Sequence, residues 1–187
     1  MSERWRCFVA LPIGGDLRAS LAAAREEWRA SPDLADLRWT DPAGWHVTLA
    51  FLGLIDPASA AAAAEALRSL PPRASQRLAG GGVGGFPTSR RGRVAWYGIA
   101  DADGALSALA AEVRRAVGVP GQPALRPHLT LARARHEVDL RDWVSYAAAP
   151  GGRLVVDRLE LMRSHVGSGP ARYETLASIR LGVPAHA

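Results

Sequence analysis

Two segments of this 187-residue chain, WHVTLAFLG from Trp45 and RPHLTLARA from Arg126, each spell His-apolar-Thr-Leu, 82 residues apart (128 − 46 = 82). In an extended strand, alternate side chains share a face. His46 and Thr48 then point one way, and Trp45, Val47, Leu49 and Phe51 the other. In the second copy His128 and Thr130 share a face opposite Leu129 and Leu131. Each copy therefore anchors an apolar side in a core and presents an imidazole and a hydroxyl on rigid backbone. One His-x-Thr is an ordinary half-buried strand, because threonine is a normal strand residue. Two copies with the same apolar partners, in a chain with five histidines, point to duplicated architecture that brings two imidazoles to one site.

The surrounding pattern supports two similar halves. RWRCFVAL reads as a strand that breaks at Pro12 and Gly14. LRASLAAAREEWRA carries Leu17, Leu21, Ala24 and Trp28 on one helical stripe; Asp16 can cap it and Pro32 ends it. LRWT is a short strand, Asp41-Pro42-Ala43-Gly44 a turn, and WHVTLAFLG a strand stopped by Gly53. DPASAAAAAEALRSL is a helix with Asp56 at the N-cap and Pro57 at its first position. QRLAGGGVGGF has no Lys-Ser/Thr ending and no following helix, so it reads as a bent strand rather than a phosphate loop. GRVAWYGIA is a strand, DADGALSALAAEVRRAV an Asp-capped helix, HLTLARA the second motif strand and DLRDWVSYA a short helix. RLVVDRLELMRSHV and ARYETLASIRL read as the last two strands, joined by a turn through Gly167–Pro170. The prediction is an α+β chain of two pseudo-symmetric lobes with antiparallel sheets around a central cleft, one bilobal domain over 1–187. Each half is expected to supply a major helix near its own His-x-Thr strand.

Composition limits the function classes. With 48% apolar residues and mixed charge the chain is globular rather than disordered. One cysteine, Cys7, excludes an internal disulfide framework and a zinc cluster, and its apolar surroundings predict a core position. No segment reaches the ~18 apolar residues of a membrane-spanning helix. The short N-terminal apolar run has no clear cleavage site, so the cytoplasm is the expected location and a monomer the default state. The formal charge is +5, and every one of the 23 basic residues is arginine. Each cationic contact available to a phosphate thus has a planar, multi-donor head.

Two imidazoles and two hydroxyls suit metal-independent displacement at phosphorus. A base takes a proton from the attacking oxygen, an acid gives one to the leaving oxygen, and the threonines donate to the non-bridging oxygens. A catalytic zinc site needs a third protein ligand, and no carboxylate or thiol recurs beside the motifs. No metal and no cofactor are therefore expected.

These features resemble the two-histidine phosphoesterase superfamily, whose signature is a pair of His-x-Thr-x motifs. More closely the chain resembles the RNA 2',3'-cyclic phosphodiesterase family, also called 2'-5' RNA ligases. HVTLAFLG and RPHLTLAR match its two motif blocks, and RCFVALPI, FPTSRRGRVAWYGI and SHVGSGPARYETL resemble its opening, middle and closing segments. The resemblance implies opening of a terminal RNA 2',3'-cyclic phosphate to a 2'-phosphomonoester, with reverse 2'-5' joining by the same groups. It implies His46 as proton donor to the 3' oxygen, His128 as base, and Thr48 and Thr130 on the phosphoryl oxygens. Arg133 is a further candidate for the phosphate, although strict alternation sets it with Leu129 and Leu131, so a bend at the strand end is required. Tyr173 is expected to line the cleft. Arg90, Arg91 and Arg93 form a basic cluster that either meets the RNA backbone or is a solvated loop. Phe8 and Phe51 are candidates to stack on a base, with a core role the stronger expectation for each. His136, His165 and His186 are expected to be surface or turn residues. A non-catalytic RNA- or nucleotide-binding module, and a phosphodiesterase for a small cyclic nucleotide, are the alternatives.

Overall fold

The computed structural model describes residues 3–73, 75–165 and 171–182. The chain runs β1 (Trp5–Pro12), α1 (Gly15–Arg29), β2 (Leu37–Trp39), β3 (His46–Ile55), α2 (Pro57–Arg68), β4 (Gln76–Thr88), β5 (Arg91–Ile99), α3 (Ala105–Ala116), β6 (His128–Val138), α4 (Arg141–Tyr146), β7 (Arg153–Val156), β8 (Arg158–His165) and β9 (Arg172–Arg180). The strands lie in the order β7-β4-β5-β6-β3-β1-β8-β9, with β2 added beside β6. The registered pairs are antiparallel. The sheets of the two halves are therefore continuous, and they meet where Val47 of β3 faces Leu129 of β6.

That register carries the symmetry. The paired residues are themselves equivalent positions of the repeat, since 129 − 47 gives the same 82 as the two histidines. An antiparallel pair joined at equivalent residues has a local two-fold axis through the pair, perpendicular to the sheet. Such an axis keeps both motif faces on the same side. Burial repeats accordingly: along both β3 and β6 the histidine is half-buried, the next residue buried, the threonine half-buried, the next two buried and the next exposed.

Two consecutive buried residues in a strand break its alternation. Ala10 pairs with Thr48 and Val9 with Ala50, which leaves Leu49 extra; Trp96 pairs with Thr130 and Ala95 with Ala132, which leaves Leu131 extra. These are β-bulges at equivalent positions (49 + 82 = 131), and each reverses the parity of everything after it. Strict alternation therefore fails for Phe51, which is 64% exposed rather than in the core. Gly53 does not stop β3: with φ +73 it sits at a second register shift, and the strand runs on to Ile55.

The core faces of both strands are covered by helices. Leu17, Leu21 and Trp28 of α1, and Leu106, Leu109, Ala110 and Val113 of α3, are buried in one cluster with Val47, Leu49, Leu129 and Leu131. Each such leucine contributes roughly 1.5–3 kcal/mol by leaving water. The expectation that each half keeps its own helix is overturned. Helix α3 packs against β3 of the first half, held by Arg114 Nε donating to the Leu49 carbonyl (2.8 Å), while α1 packs against β7 of the second. Helix partners depend on which face a crossover returns to, and periodicity carries no such information.

Other local readings need adjustment. The α1 N-cap is Gly14, with Asp16 inside the first turn rather than capping. Asp56 does cap α2, accepting from Ser59 N (2.8 Å). RLVVDRLELMRSH is two strands, not one: β7 pairs with β4 and, past Asp157, β8 pairs with β1, so the chain crosses from one half of the sheet to the other. The expected turn through Gly167–Pro170, and His186, lie outside the described residues.

Candidate active site

On the open face of the joined strands lies a cleft of about 1120 Å³, lined from both halves by His46, Thr48, His128 and Thr130. The antiparallel register about Val47 and Leu129 sets His46 across from Thr130, and Thr48 across from His128. The four motif side chains thus form a diagonal arrangement about the two-fold axis.

Each ring is fixed by the same local device. His46 Nδ1 lies 2.7 Å from the Gly44 carbonyl oxygen, and His128 Nδ1 lies 2.6 Å from that of Arg126. A carbonyl only accepts, so Nδ1 carries the proton and donates. Nε2 of the neutral ring is then the acceptor left free for chemistry. The aromatic supports differ. His46 stacks on Phe8 (centroids 4.8 Å) and meets the edge of Tyr173 (5.0 Å). His128 meets Phe86 edge-on (4.9 Å), and the Arg126 guanidinium lies over that Phe86 ring at 4.7 Å. Phe8 is a core residue, as expected, and Tyr173 lines the cleft.

Burial holds both imidazoles below their ordinary pKa by penalising the charged form. The carbonyl hydrogen bonds work in the opposite sense. The Arg133 charge lowers both further, and His128 lowers His46, whereas Glu160 favours the charged form of His46. His46 is the more deeply buried of the two. Glu160 is itself buried in the floor of the first half, opposite Ala10, accepting from Arg158 Nε (2.8 Å) and Thr175 Oγ1 (3.1 Å).

Arg133 does line the cleft, but no bend at the strand end brings it there. The bulge at Leu131–Ala132 turns it onto the histidine face. Arg6, Arg38 and Arg135 line the same cleft and were not singled out by sequence. Arg38 lies opposite Arg133 because β2 pairs with β6, a contact between segments 95 residues apart (133 − 38) that no local pattern announces. Thr40 was missed as well. Its hydroxyl lies 2.9 and 2.8 Å from the Thr130 and Leu131 carbonyls, at the bulge, and accepts from Trp45 Nε1 (2.7 Å), beside His46.

Arg90, Arg91 and Arg93 are exposed on the β4–β5 hairpin and are not among the cleft-lining residues; Arg91 forms a two-point pair with Glu137 (2.7 and 3.1 Å). His136 is exposed on β6. His165 is exposed and bonded to Glu174 (2.8 Å), at the end of β8 rather than in a loop. Among the described residues no three His, Cys, Asp or Glu side chains cluster as metal ligands, and no helix is long and apolar enough to cross a membrane.

The chain is similar to known proteins in sequence and in fold. The chain is 28% identical over 190 residues to the RNA 2',3'-cyclic phosphodiesterase of Geobacillus stearothermophilus, covering 97% of this chain but 59% of that protein's length. It is 29% identical over 153 residues to the protein of the same name from Aeropyrum pernix, covering 77% of this chain and 86% of that one. Its fold matches that of E. coli LigT in its apo form with a TM-score of 0.76 at 24% identity, covering 97% and 99% of the two chains. The α+β architecture of antiparallel strands around a cleft is thus the LigT-like two-histidine phosphoesterase fold. Residues 17–168, spanning both His-x-Thr strands, match the family model described as the 2'-5' RNA ligase superfamily, and the chain belongs to that superfamily.

Proposed function

We propose that this protein hydrolyses terminal RNA 2',3'-cyclic phosphates to 2'-phosphomonoesters by acid–base catalysis between His46 and His128, without a metal or cofactor. The observation that carries the reading is the pair of imidazoles on one cleft face, each with Nδ1 tied to a carbonyl and Nε2 left for the substrate. The names of the Geobacillus and Aeropyrum relatives point to the same chemistry.

In the proposed step His128 Nε2 takes a proton from water as the water oxygen bonds to phosphorus. The bond from phosphorus to the 3' oxygen breaks, and that oxygen receives the proton from His46 Nε2. The assignment of roles is the one the family resemblance implies; the Glu160 charge, which favours the protonated form of His46, supports it, while the deeper burial of that ring works against it. The hydroxyls of Thr48 and Thr130 donate to the non-bridging oxygens, where charge accumulates. Arg133 neutralises the phosphate, and Tyr173 holds the His46 ring edge-on. With a 5' hydroxyl attacking in place of water and the 3' oxygen leaving, the same groups form a 2'-5' linkage; run backwards, the 3' hydroxyl attacks, the 5' oxygen leaves with a proton, and that linkage is cleaved. A cleft of about 1120 Å³ exceeds what one nucleotide requires, since small-molecule sites occupy roughly 300–1,000 Å³. That favours an RNA end over a free cyclic nucleotide. The reading assigns the activity to a monomer in the cytoplasm.

The test is turnover of an oligonucleotide with a 2',3'-cyclic phosphate end. His46→Ala and His128→Ala should each lose roughly 10²–10⁴-fold in kcat, with activity surviving EDTA. Near-normal turnover in either variant refutes the mechanism. Tight binding of the same oligonucleotide with no turnover by the unmodified protein establishes the binding module instead.

A further inference from the structure

The two motif strands share one registered pair, Val47 with Leu129, so the ladder alone does little to fix β3 against β6. The chemistry needs both imidazoles on one phosphoryl group, and a misplacement of about 1 Å costs roughly 10²-fold in rate. Each histidine therefore has to be held to the opposite motif strand by something besides that pair.

In the first half the support is a strand. β2 pairs with β6 as far as Trp39, and Thr40 carries the contact on. Thr40 N donates to the Leu131 carbonyl (2.9 Å), and its hydroxyl reaches that carbonyl (2.8 Å) and the Thr130 carbonyl (2.9 Å). A few residues later comes the Gly44 carbonyl, which accepts from His46 Nδ1. The segment leading into His46 is thus tied to the second motif strand.

The second half has no such strand. The positions equivalent to β2 (37 + 82 = 119, 39 + 82 = 121) read Val-Pro-Gly and form none. Pro120 has no N–H to give a ladder. Beyond Val47 the edge of β3 away from β1 carries no registered strand among the described residues. The position equivalent to Thr40 is Gln122 (40 + 82 = 122). Phe51 N donates to Gln122 Oε1 (3.1 Å), and Gln122 Nε2 donates back to the Phe51 carbonyl. One amide thereby makes the two-point contact of a hydrogen-bonded ladder pair. Arg114 adds a second tie, its Nε donating to the Leu49 carbonyl (2.8 Å) and its Nη1 to the Pro123 carbonyl (2.7 Å). A few residues past Gln122 comes the Arg126 carbonyl, which accepts from His128 Nδ1.

We propose that Gln122 is a positioning residue for His128: its amide stands in for the missing strand on the free edge of β3 and so holds the Arg126 carbonyl that orients the base. The tautomer of the ring reports on that carbonyl. An unconstrained imidazole favours the proton on Nε2, and the hydrogen bond at Nδ1 reverses the preference. A ring with its proton on Nε2 has no free acceptor there for the proton of water. The proposal rests on the phosphodiesterase reading for the work His128 does, and adds the residue that aims it.

The experiment compares Gln122→Ala with the unmodified protein by nitrogen NMR of the histidine rings at pH 8, where both are neutral, and by turnover of the cyclic-phosphate oligonucleotide. The unmodified protein should show the Nδ1–H tautomer at His46 and His128. Gln122→Ala should move His128 toward Nε2–H and leave His46 unchanged, because β2 and Thr40 still hold the segment before His46. Its kcat should fall about tenfold or more while KM stays within about threefold, since Thr48, Thr130 and Arg133 still hold the phosphate. An unmoved His128 tautomer, an unmoved kcat, or an equal change at both rings overturns the proposal and leaves the phosphodiesterase reading intact. No turnover by the unmodified protein overturns that reading, while the tautomers still decide whether Gln122 positions His128.

Discussion

Thr40→Val removes one hydroxyl that holds two parts of the site. Trp45 is 3% exposed, and its Nε1–H has the Thr40 oxygen as its hydrogen-bond acceptor among the described residues. Valine keeps the shape and leaves that donor buried without a partner, a cost of about 1–3 kcal/mol. For a chain of this length each kcal/mol shifts Tm by roughly 2–4 °C, so a fall of about 2–12 °C is expected, read by circular dichroism at 222 nm. Trp45→Phe removes the donor. On that background Thr40→Val should cost less, and a double-mutant cycle should return a coupling of about 1–2 kcal/mol. The same hydroxyl reaches the Thr130 and Leu131 carbonyls, where the bulge turns Arg133 into the cleft. Displacement there should lower kcat/KM on a cyclic-phosphate oligonucleotide by roughly tenfold or more. A coupling below about 0.5 kcal/mol, within the scatter of independent sites, refutes the role given to Thr40.

Three further outcomes follow from the structure. Both imidazoles sit below the ordinary histidine pKa of about 6.5, and the working enzyme needs one protonated and one neutral. At neutral pH both are neutral in the free enzyme, so kcat/KM should rise as pH falls, peak on the acid side of 6.5, and fall again once both rings are charged. Glu160→Gln removes a charge that favours protonated His46, and should move the alkaline limb of that profile to lower pH; an unmoved limb refutes the electrostatic link. In Gly84→Ala the added methyl overlaps the six-membered ring of Trp96, which pairs with Thr130. Overpacking of this kind costs about 1–3 kcal/mol, so both Tm and kcat should drop, and an unchanged Tm excludes the close approach.

The sequence carried far into this molecule because its strongest signals are local. The strands, the Asp56-capped helix, the bent glycine-rich strand and the two His-x-Thr faces follow from alternation, capping and turn chemistry within a few residues. Those faces decided in advance that His46, Thr48, His128 and Thr130 would be presented from rigid backbone. Alternation failed just past each threonine, because a bulge depends on the neighbouring strand and not on the bulged residue. Strict alternation sets both Phe51 and Arg133 on the core side; the bulges turn them to the cleft, where Arg133 was expected only through a bend at the strand end.

What the sequence determined by itself is the set of reactive groups and the strand that carries each one. What only the tertiary structure decided is how those groups meet. The pairing of Val47 with Leu129 creates the two-fold axis, the bulges aim Arg133 and Phe51, and β2 brings Arg38 and Thr40 to the cleft. Burial then lowers both imidazole pKa values. The physical reason is range: propensity and periodicity act over a few residues, whereas register, desolvation and charge proximity are set by partners from 34 (130 − 96) to 95 (133 − 38) residues away along the chain.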